Sequence, residues 1–417
     1  MEKNSFAIIL VLFFTLAGCA LAGGETVVEP ISLAIELSPT AEITTLPSVS
    51  AREATILLEG TQGGSETDIG IRLIQTRDGG YVLLGYSSSF GAGGEDMYLL
   101  RLDVDGELLW SQTYGGEGTD NGWDLLETDD GGFAILGFSD SFSAGDMDLY
   151  LVRTDANGEE LCSETYGGPE DEFGWAMVAS PDGGFALVGQ TLSFGEGGND
   201  GLLLKVDSEG REDWIGTYGG NDRDRLFSVT TADDGGYVMA GITRSSGAGS
   251  RDAYIVKTNS LGESEWELVI GDAQDDVAHA IEQTEDGDYI ITGYTQNYGA
   301  RVYDTLLIKV SAAGEQEWMS VFGGEADDRT ISGAQSSDGG YILTGYTRSF
   351  GAISWDAHLV KTDAAGELLW SQIFGGNSDD GGYTAIQTQE GNYMLVGHSY
   401  SAGEGRGDLY YVLVEGP

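Results

Sequence analysis

Short apolar runs follow one another along most of the chain, separated by glycine, aspartate and asparagine. "YVLLGYS" (81–87), "FAILGFS" (133–139) and "YILTGYT" (341–347) are rich in aromatic and branched residues, as β-strands are. "MYLLRLD" (97–103) leads through the turn "DVDG" into "GELLWSQ" (106–112), and this turn chemistry indicates a hairpin. Because no helical periodicity follows the N-terminal apolar run, the pattern predicts strands and turns alone.

The strand pattern repeats every 52 residues. A glycine pair ahead of the first strand stands at 63, 115, 167, 219, 323 and 375, and "GD" takes its place at 271. Seven copies with four strands each are typical of a β-propeller whose blades are four-stranded antiparallel sheets. The sequence therefore predicts an all-β fold, a seven-bladed β-propeller. In the first blade the strands would lie at about 69–77, 81–88, 96–103 and 106–113.

The two ends of the repeat region complete each other. The last copy stops after its third strand, "DLYYVLV" (408–414), and "ATILLEG" (54–60) aligns with the outer strands, placing Leu58 where Trp110 stands one repeat later. We expect the N-terminal strand to pair with the last blade. This closure would remove the open sheet edges that invite aggregation.

The shared pattern is W-S-Q-T-Y-G-G, then D-G-G-Y, then G-Y-T-x-S-F-G-A, then D-x-x-L-x-K-T-D-x-x-G-E-x-x-W. Over residues 54–417 it is similar to bacterial and archaeal secreted seven-bladed β-propeller repeat proteins, often lipoproteins. "LDVDGELLW" (102–110) also resembles, more distantly, the tryptophan-docking element of quinoprotein propellers. The resemblance implies the fold and says little about function.

The N-terminus divides the chain further. Residues 1–18 read as a lipoprotein signal peptide, because an apolar run ends in the lipobox "LAGC" and makes Cys19 the lipidation site. Cleavage after Ala22, giving a freely secreted protein, is the alternative. Residues 19–53 would be a flexible tether, and residues 54–417 the propeller. We therefore expect a lipid-anchored protein of the cell envelope that faces outside the cytoplasm.

Charge limits the partners. Among 417 residues, 69 are acidic and 19 basic, which gives a net charge of −50. This charge argues against nucleic acid and anionic lipid as ligands and leaves cations, proteins and glycans. Cys162 is the only thiol beyond Cys19, so an intramolecular disulfide is not expected in the propeller, and we expect a monomer.

Residues that recur in every copy are expected to build blades. Tryptophan returns in the outer strands, and its apolar replacements Cys162 and Leu58 favour packing between blades over a contact site. The second strand of every copy contains a glycine at the same place, such as Gly85. It indicates that another part of the backbone or a ring approaches closely there, and we expect this contact between neighbouring sheets. The five tryptophans are Trp110, Trp214, Trp266, Trp318 and Trp370.

An acidic position recurs just before every innermost strand, near one mouth of the axial channel. Either these carboxylates cap turns or they form a ring that binds a cation such as Ca²⁺. No complete D-x-D-x-D-G calcium loop is present. The seven residues are Asp68, Asp120, Glu172, Asp224, Asp276, Asp328 and Asp380.

Catalytic signatures are missing from the sequence. His279, His358 and His398 occupy registers that are mostly aromatic or aliphatic elsewhere, which favours a structural role, and no H-x-x-H, paired cysteines or G-x-S-x-G occurs. No cofactor is required by anything in the sequence. We therefore name no catalytic residue, although acidic pairs leave polysaccharide chemistry open.

Arginines are scarce and break the repeat, as a binding site would. They fall in the connections of blades 4 to 6 that share one face, where they could bind a carboxylate or sulfate group or neutralise nearby aspartates. They are Arg223, Arg225, Arg244, Arg251, Arg301, Arg329 and Arg348.

These observations predict a non-catalytic binding or scaffolding propeller, anchored at the cell surface, with a protein or glycan as its ligand. Two alternatives stay open. One is a secreted enzyme on the same scaffold, either quinoprotein-like or acting on polysaccharides, and the other is a module that binds divalent cations.

Overall fold

The computed structural model describes residues 54–143, 145–298, 302–350 and 352–416. These residues form 28 β-strands, arranged as seven four-stranded antiparallel sheets without a helix. The seven-bladed β-propeller predicted from the 52-residue repeat is confirmed. None of the described residues forms a helix with the length and hydropathy needed to cross a bilayer. The predicted signal peptide, the tether and Cys19 lie outside the described residues.

Each blade contributes one strand to the inside of the ring, and consecutive innermost strands contact one another. The innermost strands are β2 (Asp68–Gln75), β6 (Asp120–Glu127), β10 (Glu172–Ala179), β14 (Arg225–Thr231), β18 (Asp276–Gln283), β22 (Asp328–Gln335) and β26 (Asp380–Gln387). The second strands are β3 (Tyr81–Ser87), β7 (Phe133–Ser139), β11 (Phe185–Thr191), β15 (Tyr237–Thr243), β19 (Tyr289–Thr295), β23 (Tyr341–Thr347) and β27 (Tyr393–Ser399).

The third strands are buried along nearly their whole length, whereas the outer strands are largely exposed. The third strands are β4 (Asp96–Leu102), β8 (Asp148–Thr154), β12 (Asp200–Val206), β16 (Asp252–Thr258), β20 (Asp304–Val310), β24 (Asp356–Thr362) and β28 (Asp408–Glu415). The outer strands are β5 (Leu108–Tyr114), β9 (Glu160–Tyr166), β13 (Glu212–Tyr218), β17 (Ser264–Ile270), β21 (Gln316–Phe322), β25 (Leu368–Phe374) and β1 (Thr55–Gln62).

The ring closes as the sequence predicts, because β1 is the outer strand of the last blade. It pairs antiparallel with β28, from Thr55 opposite Glu415 to Gln62 opposite Leu409. The Tyr410 hydroxyl donates to Glu59 Oε1 at 2.7 Å across the same pair. Every blade therefore has four strands, and the first and last strands of the described chain hold each other.

The hydrophobic core lies in layers between neighbouring blades. One layer joins Val82, Leu84 and Met97 of blade 1 to Phe133 and Ile135 of blade 2. The outer-strand tryptophans cover these layers against the second-strand aromatic residue of the next blade. Ring centroids lie 6.2 Å apart for Trp110–Phe133, 6.4 Å for Trp214–Tyr237, 6.3 Å for Trp266–Tyr289, 6.0 Å for Trp318–Tyr341 and 5.5 Å for Trp370–Tyr393.

Every innermost strand carries a β-bulge at the same place. In β2 the pairing with β3 shifts between Gly70 and Arg72, and a Cβ on Gly85 would lie 1.7 Å from the carbonyl oxygen of Ile69. The glycine register thus admits the backbone of the bulged strand in its own sheet. The expected approach between sheets is present as well, since a Cβ on Gly122 of the next blade would lie 2.8 Å from the carbonyl oxygen of Gly85. A bulge changes the direction of a side chain. Here it affects the one residue of each innermost strand that has no partner in the second strand.

A buried basic residue links the third strand of six blades to the turn between the first two strands. Lys361, with a side chain 2% exposed, lies 2.9 Å from Asp338, and its Nζ also donates to the Thr362 carbonyl at 2.7 Å. In the last blade Leu413 and Glu390 take the two positions. The corresponding pairs are Arg101–Asp78, Arg153–Asp130, Lys205–Asp182, Lys257–Asp234, Lys309–Asp286 and Lys361–Asp338.

Candidate functional site

The antiparallel blades give the ring two faces of different character. The upper face carries the connections from each outer strand to the next blade and those from second to third strands, and the lower face carries the two remaining turns. Isolated bridges between Thr67 and Gly407 and between Arg251 and Asp275 join the two kinds of upper-face connection. Hydrogen bonds therefore join the two kinds of connection on the upper face, which surround the axial channel.

Aromatic side chains line the channel near the upper face of blades 2 to 5. They occupy the bulge position of the innermost strands, which is Trp123, Trp175, Phe227 and His279 in these four blades. Ring centroids lie 4.6 Å apart for Trp123–Trp175, 6.5 Å for Trp175–Phe227 and 4.9 Å for Phe227–His279. We call these four residues the aromatic tract. All four are partly exposed, and Phe227 also packs against a cluster of buried apolar side chains.

Unpaired polar atoms stand among these rings. The indole Nε1 atoms of Trp123 and Trp175, Oδ1 of Asn121 and Oε1 of Gln190 are buried and have no hydrogen-bond partner within the described residues. Buried donors and acceptors are normally satisfied, so each such atom costs free energy until water or a ligand reaches it. This part of the channel is suited to a polar molecule.

An arginine cluster borders the aromatic tract in blade 4. Burial, followed by the neighbouring Arg223, Arg251 and Arg244, lowers the pKa of Arg225. Arg225 is partly buried at the start of β14, and no ion pair connects it to a carboxylate of the described residues. A guanidinium surrounded by other cations is electrostatically unfavourable in the free protein and is stabilised by an anion.

A chain of contacts continues from this cluster to blade 6. Arg251 pairs with Asp275, and the Tyr303 hydroxyl donates to the same carboxylate at 2.9 Å. The guanidinium of Arg329 lies 4.2 Å from the Tyr303 ring centroid and 5.4 Å from that of Trp355. The guanidinium of Arg348 lies 4.6 Å from the Trp355 ring centroid. The contacts therefore hold Arg251, Arg329 and two aromatic rings in fixed positions.

The predicted arginines thus divide into groups. Arg223, Arg225, Arg244 and Arg251 come together in blade 4, and Arg329 and Arg348 meet on Trp355 in blade 6. Neutralisation by aspartate applies to Arg251, through Asp275, and weakly to Arg329, whose guanidinium is 3.6 Å from Asp327. Arg301 lies outside the described residues.

The predicted cation ring consists of carboxylates that cap the connection ahead of each innermost strand. In all seven copies the acid accepts the backbone amide four residues earlier, for example Gly64 N to Asp68 Oδ2 at 2.7 Å. Ser89 Oγ donates to the same Asp68 oxygen at 2.7 Å. The seven side chains are fully buried within the connections, 0–1% exposed, instead of projecting into the channel mouth.

The three histidines contact aromatic rings. Burial, followed by Arg251 and Arg329, lowers the pKa of His279 to about 4, and burial lowers the pKa values of His358 and His398 to about 4. All three are therefore neutral near pH 7. In the described part of the chain no group of three or more histidine, cysteine, aspartate and glutamate side chains is arranged to hold a metal ion.

Sequence reasoning missed the aromatic tract because only His279 was interpreted in that register. The register reads Ile71, Trp123, Trp175, Phe227, His279, Ile331 and Tyr383. The signal in the sequence was that the residue type at this position changes from blade to blade, whereas other positions of the repeat keep one residue type. The bulge, which turns these residues toward one another, is marked in the sequence by the second-strand glycine that accommodates it, such as Gly85, which we interpreted as a contact between sheets.

No protein-family model matches the sequence. The regulatory protein FlaEY of Caulobacter vibrioides is 24% identical over 336 residues, which cover 73% of this chain and 33% of that protein. The chain thus spans about a third of the length of the curated relative it matches.

Solved structures share the fold at low identity. An ulvan lyase from a new family of polysaccharide lyases, bound to -[GlcA(1-4)Rha3S]-, has a TM-score of 0.52 at 11% identity, covering 87% of this chain and 96% of that one. A fungal alcohol oxidase in complex with copper has a TM-score of 0.52 at 10% identity, covering 87% and 76%. Likeness at this level concerns the fold alone.

Proposed function

We propose that this protein is a non-catalytic binding propeller that captures an acidic glycan at the upper mouth of its channel. The observation that carries the proposal is Arg225, partly buried beside three other arginines without a carboxylate partner among the described residues. In a chain with a net charge of −50, a cluster of four guanidinium groups, of which Arg251 already pairs with Asp275, is an exception that favours an anionic ligand.

A sugar acid fits the site better than a simple anion. The aromatic tract continues from the arginine cluster, since Phe227 and His279 lie on the strands that begin at Arg225 and Asp276. Aromatic faces bind the apolar face of a sugar ring, while Arg225 binds its carboxylate or sulfate group. The unpaired Trp123 and Trp175 indoles would donate to sugar hydroxyls further along the channel.

Binding to immobilised uronate and sulfated oligosaccharides tests the proposal. We expect Arg225→Gln to lose at least about tenfold in affinity, as removal of a charge-assisted hydrogen bond does. Arg211→Gln is the matched control, because Arg211 pairs with Asp207 and Glu209 in a lower-face turn. Equal binding by both variants, or capture of peptides in preference to glycans, would refute the proposal.

We also propose that Cys19 carries a lipid and holds the propeller outside the cytoplasm as a monomer. The support is the lipobox at residues 16–19 and the acidic surface, which suits extracellular media rich in divalent ions. Cys19→Ala should move the protein from the membrane fraction to the soluble fraction. Membrane retention of this variant would contradict the anchor.

The enzyme alternative has one specific feature in its favour, a charged group within the channel. Arg72 Nε lies 2.7 Å from Asp124 Oδ1, and burial raises the pKa values of both Asp124 and Glu282. Raised carboxyl pKa values are a property of general acids. Turnover of an acidic polysaccharide that disappears in Asp124→Asn and Glu282→Gln would favour the enzyme over the binding module.

A further inference from the structure

The first glycine of the glycine pair lies between two carboxylates that come from different blades. A Cβ on Gly271 would lie 2.0 Å from Asp252 Oδ1 and 2.8 Å from Asp276 Oδ2. At the junction of blades 7 and 1, a Cβ on Gly63 would lie 2.1 Å from Asp408 Oδ1 and 2.8 Å from Asp68 Oδ2. Each acid of the predicted ring is therefore paired with the aspartate that begins the preceding blade's third strand.

One oxygen of each third-strand aspartate at these two junctions has no partner. Asp252 is 1% and Asp408 2% exposed, and the Oδ1 atoms of both are buried without a hydrogen bond. Their Oδ2 atoms accept the amides of Gly249 at 3.0 Å and Gly405 at 3.2 Å. Two buried carboxylates side by side with an unused oxygen are unfavourable unless a cation or a proton joins them.

Backbone carbonyl oxygens and the unpaired Oδ1 atom surround the same glycine at each junction. A Cβ on Gly249 would lie 2.3 Å from the Asp272 oxygen, 2.4 Å from the Gln274 oxygen and 3.3 Å from Asp252 Oδ1. On Gly405 the corresponding distances are 2.6 Å to the Gly64 oxygen, 2.5 Å to the Glu66 oxygen and 3.1 Å to Asp408 Oδ1. Both junctions therefore gather carboxylate and carbonyl oxygens from two blades.

We propose that the junctions between blades 4 and 5 and between blades 7 and 1 each bind one Ca²⁺ ion. Ca²⁺ accepts carboxylate and backbone carbonyl oxygens in irregular arrangements, whereas Mg²⁺ demands an octahedron. Two carboxylates balance the charge of one ion, and water would complete the coordination. With two acidic ligands each, the sites belong to the weak extracellular class, with dissociation constants of about 0.1–1 mM.

The ions would act as clamps between blades, since each site takes one carboxylate from either side of a junction. One clamp lies where β1 and β28 close the ring, so it stabilises the closure. The proposal is independent of glycan binding, because Asp252, Asp276, Asp408 and Asp68 are buried in the connections. Loss of one property would leave the other measurable.

Equilibrium dialysis of the full chain against radioactive calcium, with binding stoichiometry as the readout, tests the proposal. We expect two saturable sites in the parent, one in Asp252→Asn and none in Asp252→Asn/Asp408→Asn. Asp96→Asn is the matched control from the same register. Neither carboxylate oxygen of Asp96 is a buried atom without a hydrogen-bond partner among the described residues, and we expect this variant to keep both sites.

A melting curve keeps the proposal falsifiable if the variants fold poorly. Saturating Ca²⁺ should raise the melting temperature of the parent above its value in chelator, and the same concentration of Mg²⁺ should raise it less. A proton shared by each carboxylate pair is the competing account. It predicts no calcium binding and an equal melting temperature of the parent with Ca²⁺ and with chelator, and either result would overturn the proposal.

Discussion

Aspartates on the two faces of the ring have opposite electrostatic surroundings. On the lower face the side chain of Lys309 lowers the pKa of Asp286 to about 2. On the upper face burial, followed by Asp328, raises the pKa of Asp304 to about 7. Both residues belong to blade 5, and in most other blades an aspartate occupies each of their two positions in the repeat. What differs is the partner, a buried lysine below and a second carboxylate above.

On the lower face one basic side chain pairs with the aspartate of the first turn in six of the seven blades, and the charges of each such pair cancel. The upper face is left with unbalanced charge of both signs, carboxylates at the junctions and arginines around Arg225. Unbalanced buried charge costs stability in the free protein, so it is retained where a ligand or ion supplies the missing partner. The comparison thus separates residues that build the ring from residues for which we propose a ligand or an ion as the partner.

Removal of a lower-face lysine should have the largest effect on stability. We expect Lys361→Ala to lower the free energy of unfolding by about 3 kcal/mol, because it leaves a cavity and frees Asp338 and the Thr362 carbonyl. Urea unfolding measures this loss. Arg348→Ala is the upper-face control, and an equal loss there would abolish the distinction between the faces.

The last blade lacks the lysine pair and offers the reverse experiment. Leu413→Lys alone should lower the free energy of unfolding by about 2 kcal/mol, since a charge enters an apolar layer. Adding Glu390→Asp should restore about 1 kcal/mol by placing the shorter carboxylate where the other blades have it. A double variant no more stable than Leu413→Lys in thermal unfolding would show that the pair depends on more than these two residues.

Stability in chelator should fall as the pH rises through the neutral range. Asp304 has a folded pKa of about 7, above its ordinary value of 3.8, so the folded state holds a proton that the unfolded state has released. Its stabilising effect is complete below about pH 4 and is lost as the pH passes about 7. Melting temperatures from pH 5 to pH 8 should fall less in Asp304→Asn. An identical slope in parent and variant would assign the dependence to other groups.

The smallest effect is expected for the upper-face arginines. Arg348→Gln should change the free energy of unfolding by less than about 0.5 kcal/mol, because its guanidinium is exposed, lies over the Trp355 ring and interacts with the exposed Asp379 carboxylate only through space. Denaturant titration measures this change. A loss above about 1 kcal/mol would make Arg348 part of the frame.

The sequence was sufficient for the ring because the 52-residue period, the turn residues and the complementary ends each predict the same closure. It was also sufficient to single out the arginines, since they depart from the repeat. The junction pairs could not be predicted, because Asp252 and Asp276 lie 24 positions apart and meet only when neighbouring blades pack. The aromatic tract depends on bulges, and the second-strand glycines that accommodate them do not show which side chains the bulges redirect.

The position of β1 also decides which way the propeller faces. Ala54 leads into Thr55 opposite Glu415, at the lower end of the last blade, and its amide donates to Gln372 of the neighbouring blade at 2.7 Å. Residue 54 therefore stands at the lower rim of the ring. The arginines and the upper channel mouth lie on the opposite face, so an attachment through residue 54 would not use the surface that we propose for the ligand.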